Sequence, residues 1–408
     1  MGRDFTLLTL SLILWGIGEG LFFSFVPLYL QELGAKAVQI GGTLGGLSFA
    51  AMLCHLPAGY LADRLGRRTI IVASYVIGLI ATVSMFLAPS LPFFATSLFL
   101  YGATAFVLAP MHSYITHVVP KEFLARALTL ISASYSFGYM FGPLIGGLLA
   151  ERFGLRHLFL FASCLFLIST LLVFLLRPQP VTPSPQGPAL FRSLLGARFL
   201  AFTLIMGFTI FAAYLSQPLT PNYLQNQRSL SLSTIGFLFF VNSSGIVIFN
   251  LVMGSLSPLT GILLAQLLTI TFSILLLKSH SVTLFSLAFF ILGSYRAAQA
   301  VSIAQLRNYT RPESMGLAYG FAESIFALAM ILASLFGGFL YAKQPTAMYS
   351  ISIILTLLAM GLMAAFSLTE TSSLFSSRSS VKLSGNDRTD SPCSEEEPSY
   401  SESANPTD

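Results

Sequence analysis

The 408-residue sequence is 55% hydrophobic and only 9% charged, which excludes an ordinary soluble protein, where about a quarter of the residues carry charge. Its mean hydropathy of +0.78 leaves too few polar side chains to cover a water-exposed surface, so lipid is the expected solvent. The net charge of +5 favours basic loops anchored at a membrane over nucleic-acid binding, which needs a solvated basic face.

Apolar runs of about 20 residues, enough to cross roughly 30 Å of hydrocarbon, recur between charged, Pro and Gly residues. Twelve runs are found, near residues 5–30, 38–62, 69–88, 91–117, 127–150, 156–176, 197–225, 233–253, 258–277, 281–306, 315–342 and 346–367. They are continuously apolar rather than alternating, so they predict helices and not barrel strands.

Positive charge in the short loops sets the expected orientation. With the N-terminus inside, cytoplasmic loops hold more Lys and Arg residues than external loops do. An even number of spans then places the C-terminus inside as well. The sequence predicts a multi-pass protein of the cell membrane with both termini in the cytoplasm.

The first span carries a carboxyl group near its middle. Glu19 lies in the run Gly16-Ile17-Gly18-Glu19-Gly20, where glycines leave room for a ligand or a neighbouring helix. An ionisable group inside a span costs about 2.5 to 3.5 kcal/mol on insertion scales, so Glu19 is a candidate proton carrier. The alternative is a structural carboxyl packed against its neighbours. Phe22 and Phe23 follow it and favour an amphipathic or aromatic ligand.

The loop between the second and third spans reads GYLADRLGRR over residues 59–68. This run resembles the signature G-x-L-a-D-r-x-G-r-R/K of the major facilitator superfamily, at the same place between two helices. The resemblance implies a cytoplasmic latch, in which the Asp63 carboxylate pairs with loop cations and with the N-terminus of helix eleven. The alternative is that the basic residues only anchor the topology. The candidate latch residues are Gly59, Asp63, Arg64, Gly66, Arg67 and Arg68.

Span five contains small residues at every fourth position. The run Gly138-x-x-x-Gly142-Pro143-x-x-Gly146-Gly147 resembles the antiporter motif of the proton-coupled drug-efflux branches of the superfamily. Glycines at this spacing let two helices approach closely, and a Pro inside a span bends it. Span four departs from those branches, because it reads Tyr101-Gly102-Ala103-Thr104 in place of their Arg-x-x-Gln-Gly pattern.

A Pro-rich segment at 177–196 separates six spans from six and is predicted to be an extended cytoplasmic linker. A P-x-Y-L-Q motif that begins at Pro27 recurs at Pro221, as expected of a duplicated unit. The predicted fold is therefore all-α, with twelve transmembrane helices in two pseudo-symmetric six-helix bundles, 1–176 and 197–367. Residues 368–408 are acidic and Ser-rich, and they are predicted to form a disordered cytoplasmic tail.

The resemblance also implies that spans one, four, seven and ten line a central cavity. Arg296 lies near the middle of span ten, with Gln299 on the same face, and is expected to face this cavity beside Glu19. Glu323 of span eleven either pairs with Arg296 or joins a proton path. Tyr214 and Gln217 of span seven are further candidates for contact with the substrate.

These features favour a secondary active transporter that moves a small amphipathic molecule by alternating access, as proton-coupled efflux. The alternatives are uptake or facilitated diffusion of a metabolite, and a receptor or scaffold built on a transporter fold. The sequence holds no ATP-binding G-x-x-x-x-G-K-S/T motif and no catalytic set typical of an enzyme.

The expected partners are a small-molecule substrate, protons and the lipid bilayer. No nucleic acid, cofactor or metal is expected, since the three cysteines lack the spacing of metal ligands. The protein is expected to act as a monomer.

Overall fold

The computed structural model describes residues 2–179, 196–310 and 315–385, and within these ranges all regular elements are helical. Side chains are not described at 55–63, 108–109, 117, 121, 125, 300, 304, 307, 315–317 and 369–385. The helices are α1 Arg3–Phe23, α2 Val26–Glu32, α3 Ala37–Leu65, α4 Arg67–Leu87, α5 Leu91–Ala103, α6 Leu108–Val118, α7 Leu124–Phe153, α8 Arg156–Phe174, α9 Ala197–Tyr214, α10 Thr220–Arg228, α11 Leu232–Met253, α12 Pro258–Lys278, α13 Val282–Gln305, α14 Met315–Lys343 and α15 Ala347–Gly385.

Twelve candidate spans in the described ranges are long and apolar enough to cross a membrane. Eleven are single helices, and the fourth is formed by α5 and α6 together. The prediction of an all-α fold with twelve spans is confirmed.

The first and seventh spans are shorter than predicted. α1 ends at Phe23 and α9 at Tyr214, and each is followed by a short helix, α2 or α10, that has Pro27 or Pro221 in its first turn. A Pro lacks the N–H that would continue a preceding helix but is well suited to starting a new one. The two P-x-Y-L-Q motifs therefore mark the same element in both halves.

The fourth span is interrupted in its middle. A 3-10 turn at Thr104–Val107 separates α5 from α6, and Pro110 lies in the first turn of α6. The Ser74 hydroxyl donates to the Thr104 carbonyl at 2.8 Å, which satisfies a backbone group that a continuous helix would have paired.

The two six-helix halves contact each other through α3 with α14, α7 with α11, and α2 with α10. Gly41 of α3 lies against the Ser334 carbonyl of α14, and Gly236 of α11 lies against the Pro143 carbonyl of α7. A Cβ atom at either position would collide with backbone. Both contacts lie at the end of the bundle far from the N-terminus, where α3 and α11 begin. The halves are therefore closed against each other at that end.

Both halves fall within one compact unit, Met1–Met363, and a second unit begins at Ala364. α15 continues to Gly385, so the predicted start of a disordered tail at 368 lies inside a helix. Most of the predicted linker, residues 180–195, and the last part of the predicted tail, residues 386–408, lie outside the described residues.

Candidate functional site

A central cavity of about 520 Å³ lies between the two halves. α1, α2, α3 and α7 line it from the first half, and α9, α10, α11 and α13 line it from the second. A volume of this size is typical of a site for a small molecule.

Glu19 of α1 lies on the wall of this cavity, with its carboxylate facing the hydroxyls of Tyr135 and Tyr101 and the indole N–H of Trp15. Gly16 and Gly20 lie directly against the backbone of α7. This close packing brings Glu19 up to the tyrosines of α7. All three groups that surround the carboxylate are neutral donors.

Arg296 of α13 lines the same cavity from the opposite half and is exposed to it. Its guanidinium interacts electrostatically with Tyr135 and Tyr139, and the carboxylate of Glu19 interacts electrostatically with the same two tyrosines. The two charged side chains thus flank one pair of tyrosines. Among the described residues, no ion pair joins Glu19 to Arg296.

The other predicted residues of spans ten and eleven lie outside the central cavity. Glu323 is within electrostatic range of Arg296 but does not line the cavity. Gln299 borders a separate cavity of about 20 Å³, together with Gln266 and Tyr295. Such a volume is enough for one water molecule.

Phe23, Tyr214 and Gln217 line the central cavity, whereas Phe22 does not. Phe22 is 0% exposed and packs against Tyr101 and Phe159, each with ring centroids 5.4 Å away. Successive residues of a helix point about 100° apart, so two adjacent phenylalanines cannot share one face. Phe22 therefore belongs to the aromatic core of the first half, and its predicted place in the cavity is corrected.

The side chains of Gly59–Asp63 lie outside the described ones, so the predicted contacts of Asp63 remain a prediction. Gly66 joins α3 to α4 with φ +87°, a conformation that favours glycine. The Arg68 guanidinium donates to the Phe174 carbonyl at 2.8 Å, and that of Arg67 donates to Gln179 at 3.5 Å. These two contacts tie the loop to the end of α8, within the first half. Arg64 is exposed at the end of α3.

The glycines of the span-five motif form a groove on α7. Gly138, Gly142 and Gly146 lie against the backbone of α1 at Ile13, Gly20 and Leu21, and Gly147 lies against α11. Pro143 is inside the helix beside Gly236 of α11. The motif therefore packs α7 against the helix that carries Glu19 and against the second half.

A second cavity of about 400 Å³ lies in the first half, lined by residues of α1, α3, α4, α5, α6 and α7. We call it the side pocket. Sequence reasoning missed it, because its aromatic residues come from four separate helices and carry no charge. Tyr135 and Tyr139, four residues apart on one face of span five, were a signal for the central cavity, which both of them line. The aromatic residues on its wall are Trp15, Phe23, Tyr75, Tyr101 and Tyr135.

Amide side chains join the two halves where they are closed. Gln31 of α2 and Asn226 of α10 exchange two hydrogen bonds, at 3.1 and 2.9 Å. The Asn222 amide donates to Gln31 at 2.7 Å and to the Pro27 carbonyl at 3.0 Å. We call Gln31, Asn222 and Asn226 the amide clasp.

The family model described as Major Facilitator Superfamily matches residues 8–258 and residues 202–384. Among curated relatives, the multi-drug resistance efflux pump PmrA of Streptococcus pneumoniae is 25% identical over 351 residues, covering 79% of this chain and 86% of the relative. The multidrug resistance protein MdtG of Salmonella arizonae is 31% identical over 188 residues, covering 44% of this chain. That match spans 46% of MdtG, less than half of its length.

Among solved structures, the chain resembles a bacterial homolog of the human lysosomal transporter Spinster in an inward-facing and occupied conformation. The TM-score is 0.70 at 18% identity, over 90% of this chain and 96% of the other. At this identity the likeness shows a shared fold.

Proposed function

Because the chain belongs to the Major Facilitator Superfamily, we propose that it is a proton-coupled efflux transporter that moves a small amphipathic molecule by alternating access. The observation that carries this proposal is the pair of opposite charges, Glu19 and Arg296, on opposite walls of the cavity between the halves. Burying a charged side chain inside a membrane protein costs free energy, so such residues usually have a function. The substrate binds in this cavity, near the middle of the bilayer.

The closed end of the bundle supports an inward-facing state of the transport cycle. If both termini face the cytoplasm, the end closed by the amide clasp faces outward, and the protein is inward-facing. The solved Spinster homolog that it resembles is also described as inward-facing. Rocking of the halves would break the clasp and expose the cavity to the other side.

Glu19 is the proposed proton carrier. The groups that face it are Trp15 from its own helix, Tyr101 from α5 and Tyr135 from α7, and Tyr139 of α7 is within electrostatic range. None of them is a cation, so a proton is the simplest means of neutralising the carboxylate in the membrane interior. Movement of the second half changes the distance to Arg296 and so provides a way of releasing that proton.

Efflux is favoured over uptake by the similarity to PmrA, which is described as an efflux pump. A proton that crosses 100 mV supplies about 2.3 kcal/mol, enough to concentrate a substrate roughly fiftyfold. The span-five motif, which resembles that of proton-coupled antiporters, supports the same direction. Catalysis is not part of the proposal.

The function is tested with purified protein in proteoliposomes, using an amphipathic ligand selected by its ability to raise the unfolding temperature. A pH gradient is imposed in each of the two directions, with the lumen either acidic or alkaline relative to the outside. One of the two should drive accumulation of the ligand against its own concentration gradient. A protonophore should abolish that accumulation. Flux that ignores the gradient would indicate facilitated diffusion, and no flux at all would indicate a receptor.

A further inference from the structure

The side pocket adjoins the central cavity. Six residues line both of them, which are Glu19, Phe23, Leu47, Ser48, Tyr135 and Ser136. The two cavities therefore meet beside the Glu19 carboxylate, which lies on the wall of each. The two volumes, about 400 and 520 Å³, together exceed the needs of one compact polar substrate.

The walls of the side pocket suit an apolar body. Trp15 stacks on Phe166 with ring centroids 3.9 Å apart and contacts Tyr75 at 4.6 Å. The hydroxyl of Tyr75 pairs with Ser11 at 3.3 Å. The hydroxyls of Tyr101 and Tyr135 face Glu19 at the junction of the two cavities. The lining of the pocket is therefore mostly ring and aliphatic groups, with His112 and serine and threonine hydroxyls such as Ser74 and Thr104 as its other polar members.

The two opposite charges lie at different places, with Glu19 at the junction of the two cavities and Arg296 on the far wall of the central cavity. A carboxylate on the wall of a cavity attracts an organic ammonium, because an ion pair away from bulk solvent is only weakly screened. Across the cavity, the guanidinium of Arg296 presents donors that suit a carboxylate or a phosphate. The hydroxyl of Tyr295, beside Arg296 on the cavity wall, is buried and has no hydrogen-bond partner among the described residues.

We propose that the protein binds an amphoteric molecule in both cavities at once. Its ammonium group lies against Glu19, its acidic group lies against Arg296, and its aromatic or branched apolar body fills the side pocket. This proposal rests on the proposed function, since it names the substrate class of the same site. It also adds that the ammonium and a proton compete for one carboxylate, so that binding of either one displaces the other.

The chain provides its own reporter for this pose. Trp15 is the single tryptophan of the sequence, and it lines the side pocket. A bromine-bearing ring quenches indole fluorescence only at contact distance. The probe is 4′-bromobiphenylalanine, which is amphoteric. Two derivatives keep the same body, namely the carboxamide, which retains only the ammonium, and the N-acetyl compound, which retains only the carboxylate.

Titration of the purified protein should show quenching of Trp15 by all three compounds, with the amphoteric parent at least about tenfold tighter than either derivative. In Glu19→Gln the parent should lose its advantage over the N-acetyl compound. In Arg296→Gln it should lose its advantage over the carboxamide. Equal affinities of the three compounds for the unaltered protein would overturn the proposal, as would a derivative that binds as tightly as the parent.

Variants that fill the side pocket test where the body lies. Ala51→Phe places a ring in the pocket from α3, and Ala105→Phe does so from the turn between α5 and α6. Either variant, once shown to be folded by its unfolding temperature, should abolish quenching by all three compounds. The matched control is Ala133→Phe, at an exposed position of α7 that lines neither cavity. Quenching that survives in a folded pocket-filling variant would overturn the pose.

The two proposals can fail separately. Gradient-driven flux of the ligand found by thermal screening, together with no preference for the amphoteric probe, would overturn the substrate class and leave transport standing. Selective quenching by the probe in a protein that moves nothing would support the site and overturn transport.

Discussion

Glu19 reaches the cavity wall because glycines on either side of it let α1 lie against the backbone of α7. Its charge and its position in a span were enough to predict from the sequence that it lines the cavity. The same reasoning found Arg296, which lines the opposite wall. It could not find Tyr135 or Tyr101, since neutral aromatic residues are common in any apolar span. Phe22 was misplaced, because the phase of a uniformly apolar helix cannot be read from its sequence.

Replacement of Glu19 by Gln should abolish accumulation driven by a pH gradient while preserving counterflow of the ligand at concentrations that saturate the weakened site. The amide keeps the size of the carboxyl group and can still accept hydrogen bonds from the tyrosines, but it does not bind and release a proton. Both activities are measured on the same proteoliposomes. The comparison variant is Glu323→Gln. Glu323 does not line the cavity, so this variant should still accumulate the ligand in response to the pH gradient. Accumulation that persists in Glu19→Gln would assign the proton to another group.

Asp63→Asn tests the latch that the signature motif implies. The variant should insert and fold normally but lose most of its flux, because the conformer held by the carboxylate becomes less populated. Flux is compared at equal abundance in the membrane, with Glu122→Gln as a control at an exposed acidic residue of another loop. Equal flux in the two variants would contradict the latch.

At the scale of elements, the spans followed from apolar length, but their interruptions did not. α1 and α9 end near their prolines, and the fourth span breaks at Thr104–Val107. A window of mean hydropathy cannot detect such breaks, because the residues on both sides remain apolar. The groove of Gly138, Gly142 and Gly146 could be predicted, since its spacing of four residues is that of one helix face.

Gly138→Leu should separate α1 from α7 and lower the stability of the protein. The added side chain meets the Ile13 carbonyl, which is backbone and cannot move without displacing the helix. Overpacking of this kind costs about 1 to 3 kcal/mol or more, so the unfolding temperature should fall clearly. Gly361→Leu is the control, because a Cβ at that position of α15 meets nothing within 4 Å. Equal unfolding temperatures for the two variants would exclude a tight groove.

At the scale of the whole molecule, the two halves meet at one end through backbone contacts, the amide clasp and the Glu151 carboxylate, which accepts from the Ser233 N–H at 3.3 Å. The amide clasp contains no ionisable group, so its opening does not require a change of protonation in the clasp itself. Hydrogen bonds of this type contribute about 0.5 to 1.5 kcal/mol each, which is small enough for a clasp that must break in every cycle. The cavity and the clasp together suit an alternating-access transporter in which the proton acts at Glu19 and the amides of the clasp separate without titrating.

Locking the clasp should therefore trap the cavity on one side. Gln31→Cys and Asn226→Cys place two thiols where the native side chains lie within hydrogen-bonding distance, in a background with Cys54, Cys164 and Cys393 replaced by Ser. A short cross-linker that contains a reducible disulfide should abolish flux of the ligand in proteoliposomes, and a reductant should restore it. In the proposed inward-facing state the ligand enters from the other end, so ligand binding in detergent should survive the cross-link. Each single-cysteine variant, treated with the same reagent, should transport normally. Full flux through the cross-linked protein would show that the halves do not need to separate at the clasp, and alternating access by rocking would have to be abandoned.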